Sequence, residues 1–254
     1  MLVNLQIIGV QKAGTTALAS FLNQHSDIYV VEGKEAHVFD HPNFYLQANK
    51  SHFANKQYNA RLKHYADESF ICDATPITIF HPTFLNDCYQ YNTQAKFIVV
   101  LRDPVERALS HYHMSRKIEA EKRPMLMAFL LEGFRLKKVT KQDAWPFDSP
   151  FRTQSYLRRG LYSRQLEQLY ATIPKEQVLV MMQSDLQHHH QKAMHRIFEF
   201  LDIPKANISP EVVFNTARKF THWTDPLARI FARLYYRLHN ESAKKWHDII
   251  HRSK

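Results

Sequence analysis

The sequence predicts an α/β fold of P-loop-like, three-layer type: a central parallel sheet of about five strands flanked by helices, with a helical C-terminal extension. Three observations predict it. Short apolar, β-branched runs alternate with segments of helical periodicity along most of the chain. A glycine-punctuated turn carrying one lysine and two threonines joins the first apolar run to the first helical segment. Five glycines in 254 residues leave little material for flexible linkers, and no internal repeat is visible. One domain over 1–254 is therefore expected, with an α/β core over 1–203 and a closing loop and C-terminal helices over 204–254.

The strands are expected at 3–10, 28–31, 69–72, 96–101 and 177–182, and helices near 15–24, 77–90, 104–118, 124–138, 153–171, 190–201 and 226–250. The fourth strand carries the continuous apolar run Phe97-Ile98-Val99-Val100-Leu101, as a strand buried on both faces requires. Asp103 followed by Pro104 starts the next helix, because the acid caps it and proline suits its first turn. Arg102 then stands at the carboxyl end of a strand, where open α/β sheets bind ligands. Leu161, Gln165 and Leu169 mark a core face of the helix over 153–171. The stretches 41–68 and 139–155 read as loops, and their aromatic residues Phe44, Tyr45, Phe53, Trp145 and Phe147 are assigned to the core in preference to sugar stacking.

In Gly9-Val10-Gln11-Lys12-Ala13-Gly14-Thr15-Thr16, the glycines let the turn approach an anion. Amides at the helix start point toward it, the helix dipole favours negative charge there, and Lys12 adds a mobile cation. The usual nucleoside-triphosphate loop places lysine directly after its second glycine, whereas Lys12 precedes Gly14 by two positions. That spacing weakens a kinase or ATPase reading, for which Asp73 is the acid nearest to hand for magnesium.

The segment Gly9–Leu18 resembles the 5′-phosphosulfate loop of sulfotransferases that use 3′-phosphoadenosine 5′-phosphosulfate (PAPS). The resemblance implies that Lys12, Ala13, Gly14, Thr15 and Thr16 hold the donor. Phe97–Tyr112 resembles the family's 3′-phosphate motif, which implies that Arg102 and Ser110 hold that phosphate. Lys34-Glu35-Ala36-His37-Val38-Phe39-Asp40 is similar to the Glu-x-His-x-Phe-Asp pattern of glycosaminoglycan sulfotransferases, especially the heparan sulfate O-sulfotransferase group. In that group the glutamate is the catalytic base. The stretch 153–182 resembles the family's Gly-x-Tyr helix and following strand, and after Pro204 the family has a loop that closes on the 3′-phosphate. Arg218-Lys219 is the best basic pair for that loop, although it lacks the glycine that commonly follows.

The resemblance implies sulfuryl transfer from PAPS to an acceptor hydroxyl, on a saccharide or glycan, with 3′-phosphoadenosine 5′-phosphate (PAP) as product. Glu35 is the candidate base, an effect worth about 10²- to 10⁴-fold. Lys12 stabilises charge on the leaving phosphate. His37 orients Glu35 or touches the acceptor, and Asp40 holds His37 in its tautomer. Lys34, Asp40, Arg158, Arg159 and Tyr162 are candidate acceptor-side residues. Two other classes stay open: a nucleotide kinase using the same loop, and a noncatalytic nucleotide- or glycan-binding module.

A net charge of +10 favours acidic partners. Nucleic acid is set aside for want of a basic tail, a zinc-finger spacing or a reader module. Cys72 and Cys88 are expected as buried free thiols. His188-His189-His190 lacks a metal-ligand spacing, so no metal site is assigned. Met1–Leu5 enters the first strand with neither a basic leader nor an apolar stretch of signal length, and no run reaches membrane-spanning length. With a cytosolic donor, a bacterial cytoplasmic enzyme is expected. The segment Pro226–Leu238 is a basic amphipathic helix whose apolar stripe is expected to pack on the domain, with an anionic membrane as the other partner.

Overall fold

The computed structural model describes residues 2–137, 146–210 and 221–251. In chain order they form β1 (Leu5–Gly9), α1 (Thr15–Leu22), β2 (Ile28–Val30), α2 (Lys50–Asn59), β3 (Phe70–Asp73), α3 (Pro82–Tyr91) and β4 (Lys96–Leu101). There follow α4 (Pro104–Lys117), α5 (Met125–Lys137), α6 (Pro150–Thr153), α7 (Tyr162–Thr172), β5 (Val178–Met182), α8 (Gln183–His188), α9 (His190–Leu201), α10 (Asp225–Leu238) and α11 (Ala243–His251). These elements divide into two compact units, the first drawn from 1–102 and 168–214, the second from 103–167 and 215–254.

The first unit is built on an all-parallel five-stranded sheet in the order β2-β3-β1-β4-β5. Ile7 pairs with Ile98 and Ile98 with Leu179, so β1 and β4 lie inside the sheet. Their side chains are accordingly apolar on both faces: Leu5, Ile7, Phe97, Ile98, Val99 and Val100 are all fully buried. The chain leaves β1 toward one edge and β4 toward the other, which puts the topological switch point at the carboxyl ends of these two strands. Gly9 closes β1 where a Cβ would stand 2.4 Å from Cγ2 of the buried Ile79, so this glycine is required by packing and not by turn conformation. Cys72 and Cys88 are buried free thiols, as expected.

The second unit is helical. Val105, Leu109 and Tyr112 of α4, Met125 and Phe129 of α5, Tyr156, and Ala228, Ala232 and Tyr236 of α10 share one core. Asp103 caps α4 by accepting the Glu106 amide at 2.9 Å, with Pro104 in the first turn as the Asp-Pro pair predicts. Glu132 is buried and accepts the amides of Leu157 at 2.6 Å and Arg158 at 2.9 Å. Burial raises its carboxyl to about 7 against the pull of those two amides and of Arg107 and Arg158.

The expected continuous helix over 153–171 is instead α6, a 3-10 turn at Arg158–Gly160, and α7. Glu132 takes up the amides that open this turn, and at Gly160 a Cβ would meet the Tyr236 hydroxyl at 2.3 Å. The expected helix over 226–250 is broken likewise: Asn240 adopts φ 53° after α10, and the Ser242 hydroxyl accepts the Lys245 amide at the start of α11. The stretch 41–68 is not only loop, since Asn49 caps α2 by accepting the His52 amide at 2.9 Å. Phe44 is buried edge-on against Phe39, in the core as expected, whereas Phe147 is half exposed and departs from that expectation. Trp145 lies outside the described residues.

Candidate active site

Between β1 and α1 the chain forms a cradle. Gly14, the residue before α1, has φ 94°, and Lys12 has φ 74°, a left-handed conformation uncommon outside glycine. No side chain caps α1 and no acid stands in its first turn, so its opening amides and dipole are directed at an incoming anion. The Arg102 guanidinium, at the end of β4, donates to the Lys12 carbonyl at 3.0 Å and ties the turn to the neighbouring strand. Lys12, Ala13, Gly14, Thr15, Thr16 and Arg102 thus share one end of the sheet.

A second turn, after β2, carries the acid and bases. Gly33, Lys34 and His37 all have positive φ, at 78°, 68° and 51°. This backbone is pinned to the end of β3: the Ala74 amide donates to the Lys34 carbonyl at 2.9 Å, the Ala36 amide to Asp73 Oδ1 at 3.1 Å, and the His37 amide to Thr75 Oγ1 at 3.3 Å. One Glu35 oxygen accepts from Lys34 Nζ and the other from His37 Nε2 at 3.2 Å. Lys34 Nζ also donates to Thr16 Oγ1 at 2.8 Å, so a continuous chain of contacts links the carboxylate to the phosphate cradle.

His37 Nδ1 meets the buried Asp40 at 2.8 Å. With a carboxylate at each ring nitrogen, the imidazole holds both protons. Burial works against the charge, but the hydrogen bonds and charges of Asp40 and Glu35 carry His37 up to about 10. The contact with Asp40 expected from sequence is present at Nδ1, and the two carboxylates together favour the charged ring. For Glu35, burial pushes upward, yet the His37 hydrogen bond and the Lys34 charge outweigh it and the carboxyl ends below its usual value.

The Asp73 carboxylate is buried, and both oxygens are engaged: Oδ1 by the Ala36 amide and Thr75 Oγ1 (2.8 Å), Oδ2 by the Tyr58 hydroxyl (2.9 Å). The acid nearest to hand for magnesium in the sequence is thus the post that holds the Glu35 turn. Position at the end of an apolar run pointed to Asp73; no spacing pointed to Tyr58 on α2.

Other assignments fall elsewhere. Arg159 is buried and donates to Ser155 Oγ at 2.8 Å and to the Phe151 and Arg152 carbonyls at 3.1 Å, and Tyr162 is buried edge-on against Trp246. Both are structural members of the second unit, which corrects their placement toward an acceptor. Arg158 is exposed, and Ser110 lies in the second turn of α4, partly exposed. Arg218 and Lys219 lie outside the described residues. His190, from the histidine triplet, contacts the Ile208 carbonyl at 3.1 Å and packs edge-on against Phe21.

The chain resembles known proteins over nearly its whole length. It is 28% identical over 218 residues to mouse heparan sulfate glucosamine 3-O-sulfotransferase 3A1, covering 84% of this chain and 49% of that protein. It therefore spans about half the length of this curated relative. The solved sulfotransferase from Alicyclobacillus acidocaldarius superposes with a TM-score of 0.76 at 21% identity, over 100% of this chain and 98% of that one. Mouse sulfotransferase SULT7A1, solved in complex with PAP, superposes with a TM-score of 0.50 at 15% identity, over 96% of this chain and 87% of that one. The last two likenesses establish the fold. The family description "Sulfotransferase domain" matches residues 4–247, and with that match the chain belongs to the sulfotransferase family.

Proposed function

We propose that this chain transfers a sulfuryl group from PAPS to a hydroxyl of a saccharide or glycan. The observation that carries the reading is the linked pair of turns, in which Glu35 connects through Lys34 to Thr16 of the phosphate cradle. The cradle suits the donor's phosphosulfate end: a positive-φ glycine before α1, no capping side chain, no acid in the first turn, and Lys12 beside it. Glu35, ionised through its Lys34 and His37 contacts, takes the acceptor proton as the acceptor oxygen forms its bond to sulfur. The sulfur's bond to the bridging phosphate oxygen breaks, and Lys12 and the cradle amides stabilise the charge that grows there. Lys34, placed on the acceptor side by sequence, couples the two turns. PAP leaves. The heparan sulfate acceptor named for the mouse relative supports a sugar hydroxyl here.

Arg102 and Ser110 are assigned to the donor's 3′-phosphate on their motif. Arg102→Ala is expected to weaken PAP on the order of 10- to 100-fold, the worth of a hydrogen bond to a charged group. Calorimetric titration with PAP, ADP and magnesium-ATP tests both residue and reading. Metal-independent binding of PAP over ADP, lost in Arg102→Ala, supports the proposal, and a preference for magnesium-ATP places the chain among kinases.

His37→Ala removes the largest downward influence on Glu35, so the acidic limb of the kcat/KM profile is expected to move to higher pH. Stability changes with the opposite dependence. Because His37 is raised from 6.5 to about 10, its contribution is full below 6.5 and is lost as pH rises through 10. The wild type's margin in Tm over His37→Ala is thus expected to shrink across that window.

No helix among the described residues is long and apolar enough to cross a membrane. A donor made in the cytosol places the reaction in the cytoplasm in this reading, and the basic helix α10 adds a peripheral contact with anionic membrane.

A further inference from the structure

The charge of this chain is segregated between its units. Residues 1–102 and 168–214 hold 12 Lys and Arg against 13 Asp and Glu, whereas 103–167 and 215–254 hold 22 against 11. The second unit therefore carries more than the whole net charge of +10. The same unit exposes apolar side chains in a regular pattern. On α10, Ala228, Ala232 and Tyr236 face the core, and Leu227, Ile230 and Leu234, on the opposite side, are 48–52% exposed. Arg233 and Arg237 line one flank of that exposed stripe and have no carboxylate partner among the described residues, while Arg229 pairs with Glu106. On α5, which packs beside α10 in the same core, Met125, Ala128 and Phe129 point inward and Met127, Leu130 and Phe134 are 46–60% exposed on the reverse side. The sequence expectation that the apolar stripe of 226–238 packs on the domain holds for one side of α10 only.

We propose that the exposed faces of α5 and α10 form one docking surface for an anionic lipid membrane. This extends the peripheral contact in the preceding reading, and it needs neither donor nor acceptor to be measured. Scattered exposed leucines mean nothing singly; helices of one core that each present an i, i+3, i+7 stripe of large apolar side chains away from that core show more than scatter. Arginines flanking such a stripe suit a surface that is apolar beneath and anionic at its headgroups, where each basic residue adds attraction within a Debye length. A second copy of the chain would bring the same +11 unit against itself. Charge complementarity therefore selects lipid. Held this way, the chain would meet amphiphilic or lipid-linked acceptors at the membrane surface.

The test is co-sedimentation of the full chain with vesicles of phosphatidylcholine alone and of phosphatidylcholine mixed with phosphatidylglycerol. Binding to the anionic vesicles only, weakened by added salt, is expected. Leu234→Glu and Leu130→Glu are each expected to reduce that binding on the order of 10-fold, since each puts an acid into the interfacial layer. Arg233→Glu, which touches no packing, is expected to do the same. Circular dichroism melting confirms that the variants are folded. Absence of binding, equal binding to neutral vesicles, or an unchanged Leu130→Glu overturns the two-helix surface. A dimer in vesicle-free solution that Leu234→Glu dissolves overturns it in favour of self-association. PAP titration is untouched by any of these outcomes, so failure here and failure of the transfer reading are separable.

Discussion

Glu35→Gln is expected to lower kcat by about 10²- to 10⁴-fold while leaving PAP affinity within a few-fold of wild type. Glutamine keeps the size and one acceptor oxygen of the side chain, so Lys34 or His37 retains a partner and the cradle contact from Lys34 to Thr16 survives. What it cannot do is accept the acceptor's proton. The split between kcat and nucleotide affinity is the diagnostic, because a fault that merely loosened the turn would change both. Full activity in Glu35→Gln removes Glu35 as the base, and PAP binding without turnover in the wild type as well would make the chain a binding module.

Asp73→Ala is expected to be the most damaging substitution for stability near the site. It leaves the Ala36 amide, Thr75 Oγ1 and the Tyr58 hydroxyl without their buried acceptor. A buried group so orphaned costs about 1–3 kcal/mol, and for a chain of this size each kcal/mol lowers Tm by about 2–4 °C. Asp73→Asn separates stability from positioning. Burial raises Asp73 to about 6, so the wild-type carboxyl favours the fold fully below its ordinary 3.8 and loses that advantage as pH rises through 6. Above pH 6 the asparagine variant is expected to melt no lower than wild type yet to turn over more slowly, because its amide nitrogen cannot accept as a carboxylate oxygen does. Equal rates would make Asp73 structural only.

Much of this was legible because it is local. The run Phe97–Leu101 sits inside the sheet as its composition requires, and Asp103 and Pro104 open α4 as read. Glu35, His37 and Asp40 are neighbours in sequence, and the structure brings their side chains into contact. What was missed depends on residues far apart. Tyr58 reaches Asp73 from a helix in a stretch without apolar periodicity, and Glu132 breaks an otherwise helical segment from 25 residues away. Arg159, an acceptor-side candidate by sequence, is held by Ser155 and by backbone carbonyls, which composition never displays. His37's raised pKa could not be read either, since it takes two carboxylates at bonding distance to overcome the opposing effect of burial.

Lys12, Lys34 and His37, the three side chains around Glu35 and the cradle, all stand on backbone that glycine adopts freely and other residues resist. Glycine would relieve that backbone at each position, but at 34 and 37 it also removes the side-chain contacts to Glu35, Thr16 and Asp40. Backbone strain and side-chain contact are therefore opposed at those two positions. In a library selected for heat resistance alone, the residues kept at 34 and 37 report which of the two is the larger.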